Sequence, residues 1–421
     1  MKKVLLVATV QSHIGQFHKP LMKLLKENGW EIHVAARNNL VEKNGLQLEY
    51  PDAVFDIPFR RSPLDPGNIE AYRKLKKLLA STQYDVIHCN TPVGGVLTRI
   101  AASKYRRQGT KVYYTAHGFH FYHGAPFFNW LVYYPMEKWL AGATDKLITI
   151  NKEDYDLAKR KFSCPVYRIH GVGANSEKFR IIDEDERKEL KAELGLEGRI
   201  LIIVGELLPN KNQKTAILAL KKVLQKYPDT CLLIAGNGPE KENLEATVQK
   251  EALEEHVRFL GYTTQLQSFL EAADVEVACS YREGLPLNIL EAMLCGKPVA
   301  ASDNRGHREV IQEGVNGCLV KVDDPDAYAE AICHLFSSGT GDSRAIRKSI
   351  EPYADYSVIQ ELRAIYSLSR DTRDFSRGIR GQKRKLASSR NTRDFSPWET
   401  SAKRQPVSDQ EKRKWTSRKC L

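Results

Sequence analysis

The run Tyr281-Arg282-Glu283-Gly284-Leu285-Pro286-Leu287-Asn288-Ile289-Leu290-Glu291-Ala292-Met293-Leu294-Cys295-Gly296-Lys297-Pro298 sets two carboxylates, Glu283 and Glu291, eight positions apart around a Gly-Leu-Pro corner. Within 287–295 the apolar residues Ile289, Leu290, Met293 and Leu294 have helical spacing, and Pro286 stands just ahead of the start. Apolar runs at 275–279 and 299–301 flank it as strands. Glu283 then lies in the loop entering the helix, and Glu291 in the first turns. Free backbone N–H groups at such a start attract an anion, typically phosphate. Two carboxylates there could grip hydroxyls on either side of that phosphate. An ordinary helix start, acidic because acids suit the dipole, is an equal alternative.

The alternation of strand and helix extends outward. Strands are expected at 200–204, 231–235, 257–260 and 317–320, with helices at 211–226, 240–252, 264–273, 305–313 and 325–338. A first series has strands at 4–10, 31–36, 53–57, 86–89, 112–115, 147–151 and 166–169, with helices at 17–28, 68–81 and 94–107. His13-Ile14-Gly15 is read as the turn after its first strand. Such alternation implies parallel sheets covered by helices on both faces. The fold class is therefore α/β, with two doubly wound lobes at 1–173 and 174–348, a last amphipathic helix within 349–368 and a tail at 369–421. Ligands in these sheets bind at the carboxyl ends of the strands. Those ends carry His13, Gly15, Asn90, Thr91 and 115–120 in the first lobe, and Gly205, Gly236, Gly238 and the Glu283 loop in the second. Lys211, six positions after Gly205, would supply an ammonium to a diphosphate, unless it is a plain surface lysine.

Lys plus Arg total 64 against 52 Asp plus Glu, a net of +12, but the excess is concentrated at the end. Residues 367–421 hold 16 basic and 6 acidic side chains and repeat Thr-Arg-Asp-Phe-Ser at 372–376 and 392–396, so the nearly neutral body gives no sign of a nucleic-acid binder. The tail cannot bury a core and is expected to be disordered; a tether to an anionic surface is its functional alternative. Eight scattered cysteines with no C-x-x-C pair argue against zinc and fit buried thiols in a reducing cytoplasm. The apolar run at 4–8 is too short for a signal peptide and reads as a buried strand. Residues 119–140 are dense in aromatics. Core is the default for them, and an apolar, basic-edged face for a lipid-linked substrate is the alternative.

These residues resemble glycosyltransferase family 4, retaining enzymes of the GT-B fold, over about residues 1–366, which implies that the C-terminal helix returns to the first lobe. The most specific match is Glu-x7-Glu at Glu283 and Glu291. Gly236-Asn237-Gly238-Pro239, Gly261-Tyr262, Ala272-Ala273-Asp274 and Gly296-Lys297-Pro298-Val299 support it. Tyr114-Thr115-Ala116-His117-Gly118-Phe119-His120 and Ile150-Asn151-Lys152-Glu153-Asp154-Tyr155 are similar to the capsule and exopolysaccharide branch.

The resemblance implies roles for individual residues. Glu291 would bind the ribose of a nucleotide donor and Glu283 would attend the donor sugar. Lys211 would offset the leaving diphosphate, capped by backbone at Leu287 and Asn288, while Gly15 would let the first lobe approach the phosphate. Gly205, Gly236, Gly238, Gly284, Leu285, Arg258 and Tyr262 would complete the donor site, the last two through backbone near the base. His117 would lie near the reacting centre, with His13, Asn90, Thr91 and His120 toward the acceptor. One departure stands out: Glu206 follows Gly205 where the family usually has Arg.

The implied activity is metal-independent, retaining transfer from a nucleotide sugar, expected to be UDP-linked, to a lipid-linked glycan, with no cofactor. The implied location is cytoplasmic, at the inner membrane face. An inverting GT-B transferase, a sugar-nucleotide epimerase and a non-catalytic nucleotide- or glycan-binding paralogue are the alternatives.

Overall fold

A computed structural model of the chain describes residues 1–41, 46–337 and 342–368; the basic tail at 369–421, and the expectation of disorder there, lie outside the described residues. The first lobe holds β1 (Lys3–Val10), β2 (Glu31–Arg37), β3 (Ala53–Asp56), β4 (Val86–Asn90), β5 (Lys111–Ala116), β6 (Lys146–Thr149) and β7 (Val166–Arg168). The second holds β8 (Arg199–Val204), β9 (Thr230–Ala235), β10 (Val257–Gly261), β11 (Val275–Ala278), β12 (Val299–Ser302) and β13 (Gly317–Val320). They pair in the orders β3-β2-β1-β4-β5-β6-β7 and β10-β9-β8-β11-β12-β13. In both, the winding reverses beside the first strand, between β1 and β4 and between β8 and β11. Such a reversal opens a crevice at the strand ends.

The apolar runs explain the layers. Val4, Leu6 and Ala8 of β1 enter one core and Leu5 and Val7 the other, all fully buried. Ile200 and Ile202 of β8 divide from Leu201 and Ile203 in the same way. A strand buried on both faces needs helices on both, and each such valine, leucine or isoleucine contributes roughly 1.5–3 kcal/mol by leaving water.

Three local expectations are corrected. His13-Ile14-Gly15 is no turn: it lies in the helix Gln11–Phe17, which starts directly after β1. The expected helix at 17–28 is broken at His18 (φ −118°, ψ 11°), and a second helix, Lys19–Glu27, begins with Pro20 in its first turn. Proline has no N–H for the ladder, so the first helix cannot run through it. The expected helix at 211–226 begins later: a 3₁₀ turn, Pro209–Lys211, and left-handed Asn212 (φ 51°) precede the helix Gln213–Lys226. Lys211 is thereby left at the mouth of β8.

The aromatic stretch divides. Phe119 and Phe121 are buried and stacked 4.7 Å apart. In the helix Phe127–Ala141, by contrast, Phe127, Phe128, Leu131 and Trp139 are exposed. Core is therefore the wrong reading for that face.

The chain crosses back at its end. Ala174 N–H donates to Tyr353 O and Asp355 N–H to Ala174 O, both at 2.9 Å, so the outgoing and returning segments lie side by side. The helix Asp355–Tyr366 then packs Val358, Leu362, Ile365 and Tyr366 into the first-lobe core.

Candidate active site

On the second-lobe side, Lys211 Nζ lies 2.6 Å from Glu283 Oε1, both side chains largely buried. Gly306 presses on the Glu283 loop: a Cβ there would sit 2.8 Å from the Glu283 carbonyl oxygen. The helix Leu287–Leu294 starts just beyond Glu283, after Pro286. Its first N–H groups have no earlier carbonyl in the helix to meet and remain available to an anion.

Beneath that helix lies a carboxyl not foreseen in the sequence. Glu276 of β11 is fully buried, and its Oε1 accepts from Asn288 Nδ2 at 2.7 Å while Oε2 has no hydrogen-bond partner. Burial pushes the Glu276 carboxyl up to about 8 and Glu291 up to about 7. The proton on Glu276 favours the folded chain; that contribution is complete below about 4.5 and is lost as pH rises through about 8. Glu276→Gln stays neutral throughout. Its melting temperature, relative to wild type, is expected to rise by about 2 °C or more between pH 5 and pH 8.5. A pH-independent difference in calorimetric scans would refute a proton on Glu276.

Gly205 and Gly236 end β8 and β9. Gly236 has φ 148°, and a Cβ on it would fall 1.9 Å from Gly205 O, so glycine is needed for the two loops to stack. Gly238 rests on the Leu207 backbone, and Tyr262 is half exposed beyond β10. Arg258, expected to contribute through its backbone, turns its side chain to Gly195, with Nη1 donating to Gly195 O at 2.6 Å. Leu285 crosses to the first lobe and packs in both cores, against Gly171. Gly15 faces the Leu46 and Leu48 side chains, so its missing Cβ makes room for that loop. Glu206 is exposed.

On the first-lobe side, His117 follows β5, and its Nε2 lies 3.2 Å from His13 Nε2 and 3.4 Å from Asn90 Oδ1. Burial holds His117 down at about 4, and burial then His117 hold His13 well below its ordinary value. Thr91 adopts φ 65° with its hydroxyl 2.8 Å from Thr9 Oγ1, and His120 stacks on Tyr133 at 4.7 Å. A cleft of about 370 Å³ is lined by His13, Thr91, His120, Val96, Tyr133 and Met136, among others. The two loops meet at Gly284, where a Cβ would lie 2.5 Å from His117 O. Glu283, Lys211 and His117 are thus gathered around one crevice.

A third element locks the lobes together. Arg305 donates from Nη1 and Nη2 to Asp154 Oδ1 and Oδ2 at 3.1 and 2.9 Å, its guanidinium 4.7 Å above the Tyr122 ring. Glu309, on the same helix Arg305–Val310, accepts from Arg168 at 2.7 Å and from Lys152 N–H at 3.1 Å. Asn304 ahead of Arg305-Gly306-His307 is a legible cap, accepting from Gly306 and His307 N–H at 2.9 and 3.0 Å. The partner of Arg305 was not legible, because it lies 151 residues away.

Two doubly wound lobes facing across a crevice, with a carboxylate–lysine pair at a helix start, are the GT-B architecture, and the chain belongs to the group 1 glycosyltransferase family. Residues 184–351 match the family described as glycosyl transferases group 1, and residues 3–151 match glycosyl transferase 4-like. The chain is 43% identical over 384 residues to EpsD of Bacillus subtilis (strain 168), a protein assigned as a glycosyltransferase, covering 89% of this chain and 99% of EpsD. It is 31% identical over 268 residues to the UDP-Gal:α-D-GlcNAc-diphosphoundecaprenol α-1,3-galactosyltransferase of Escherichia coli, covering 62% of this chain and 68% of that one. The crystal structure of Anabaena HepE in complex with UDP and glucose shares the fold, with TM-score 0.68 at 19% identity over 87% of this chain and all of HepE.

Proposed function

We propose that this glycosyltransferase moves a sugar from a UDP-sugar to a lipid-linked glycan with retention of anomeric configuration, in capsule or exopolysaccharide synthesis. The observation that carries this reading is the Lys211–Glu283 pair, set at a helix start against the His117 loop. The Escherichia coli relative's diphosphoundecaprenol acceptor and UDP-linked donor support the substrate classes.

The departing group is a nucleoside diphosphate, so the main task is to stabilise its charge and a cationic sugar. Lys211 and the N–H groups of Leu287 and Asn288 face the diphosphate, Glu291 the ribose and Glu283 the sugar. The anomeric C–O bond breaks with its electron pair going to the β-phosphate. The acceptor oxygen bonds to the same face, and its proton passes to that phosphate oxygen. An inverting reaction needs a base at the acceptor, and His117, held at about 4 by burial, is a weak one. With Lys211 and the helix start carrying the phosphate charge, no divalent metal is required. Transfer should therefore persist in EDTA.

A panel of nucleotide sugars, scored by thermal stabilisation and hydrolysis, tests the donor class; stabilisation by UDP compounds is expected. Glu291→Gln should weaken UDP binding roughly tenfold in calorimetry, the value of a hydrogen bond to a charged group. An unchanged affinity would remove the ribose role.

Among the described residues no helix is long and apolar enough to cross a membrane. The helix Phe127–Ala141 instead lines the cleft with Tyr133 and Met136 and exposes Phe127, Phe128, Leu131 and Trp139. That arrangement supports a membrane surface delivering the acceptor lipid to the cleft. Phe127→Glu and Phe128→Glu should each reduce flotation with anionic vesicles roughly tenfold, from the lost burial of one aromatic ring. Equal flotation of wild type and both variants would contradict this contact.

A further inference from the structure

We propose that His13, His18 and His117 form a binding site for one divalent transition-metal ion of the zinc class, and that the ion occupies the reacting centre as an inhibitor. His13 comes from the helix Gln11–Phe17, His117 from the end of β5, and His18 from the break that Pro20 imposes between two helices. One ligand atom from each ring lies within 4.8 Å of the other two.

The geometry is close to that of a metal site. Zinc–nitrogen bonds of about 2.0–2.1 Å in a tetrahedron place two nitrogens roughly 3.3–3.4 Å apart. His13 Nε2 and His117 Nε2 are 3.2 Å apart, so one edge is already at that length. The other two edges are at most 4.8 Å, so the rings must draw closer to hold one ion.

A second observation points to an absent partner. His18 is 5% exposed, and its Nε2 is buried with no hydrogen-bond partner. A buried nitrogen left unmatched carries a desolvation cost that needs an explanation. The neighbouring His88 is satisfied, with Nδ1 2.7 Å from Tyr366 OH and Nε2 2.7 Å from Thr115 Oγ1. Three imidazoles with no carboxylate suit zinc, cobalt, nickel or copper, whereas magnesium and calcium prefer oxygen.

Metal binding stands on the three rings alone. Inhibition rests on the proposed transfer reaction, because an ion holding His13 and His117 withdraws both from the sugar and the acceptor.

The test uses tag-free, full-length protein. Zinc alone is titrated by calorimetry and cobalt alone by visible absorption, without donor. One ion per chain and a tetrahedral cobalt spectrum are expected. His18→Gln should lower the affinity at least about 100-fold, since even indirect supports of metal ligands cost 10–100-fold. His18→Leu repeats the test should His18→Gln melt early. Wild-type titration by a folded His18 variant, or the absence of tetrahedral cobalt in wild type, would overturn the site. With metal bound, sugar transfer should be suppressed and restored by EDTA, while the zinc concentration that saturates wild type should leave His18→Gln at its own metal-free rate. Full transfer by a zinc-loaded wild type would overturn the inhibitory role.

Discussion

Glu283→Gln is expected to lower turnover roughly 100- to 1,000-fold, the usual cost of removing one preorganised electrostatic group, while leaving the fold and UDP affinity intact. The carboxylate sits 2.6 Å from Lys211 Nζ with 16% of its side chain exposed, so its charge is felt in a partly dry site. Glutamine keeps the shape and can still accept a hydrogen bond, but offers no charge to a cationic sugar. It also releases Lys211 from its ion pair, so the ammonium can turn wholly to the diphosphate. UDP should then bind as well as before or more tightly, even as turnover collapses. Steady-state rates with calorimetry on the same preparation separate the two effects. Turnover within threefold of wild type would remove Glu283 from the reaction, and a matching loss of UDP affinity would place it on the nucleotide instead.

Arg305→Met should cost about 3 kcal/mol or more of stability, as breaking one side of a buried ion pair does. Asp154 is 1% exposed and Arg305 9%, so the remaining carboxylate cannot easily recruit water. Burial already raises the Asp154 carboxyl above its ordinary value despite the guanidinium. Removing Arg305 raises it further. A carboxyl whose folded value is raised loses stability as pH climbs, because the folded chain must then bury the charge. The penalty should therefore grow from pH 5 to pH 8. Turnover should also fall, since the same helix packs Gly306 against Glu283 and ties Glu309 to Arg168 of the first lobe. Calorimetric scans across that range check the claim; a loss independent of pH would show that Arg305 acts by packing on Tyr122 rather than through Asp154.

Much of the architecture was legible because buried parallel strands are nearly uninterrupted apolar runs, such as 4–10 and 200–204, separated by helical periods. The return of the last helix to the first lobe also agrees with the sequence reading. Failures fell where a tertiary partner decides the outcome. Periodicity at 17–28 gave one helix, but Pro20 splits it in two at His18. Aromatic density at 119–140 signalled burial, yet composition cannot say which face of the helix Phe127–Ala141 is left bare. In the site, Glu283, Lys211 and His117 follow strand ends and were found through them. Arg258 lies near the start of β10, so its side chain reaches Gly195, while Leu285 joins the lobes. Glu276 and Arg305 were missed because an acid inside a strand and an arginine after a cap look like surface residues until their partners are known.

The most direct measurement is proton NMR of the glycoside formed from the accepted UDP-sugar and a polyprenyl-diphosphate-linked acceptor. An α-linked donor should give an α-linked product with wild type and almost none with Glu283→Gln. A β-linked product, or equal yields from the two proteins, would contradict retaining transfer at the Lys211–Glu283 site.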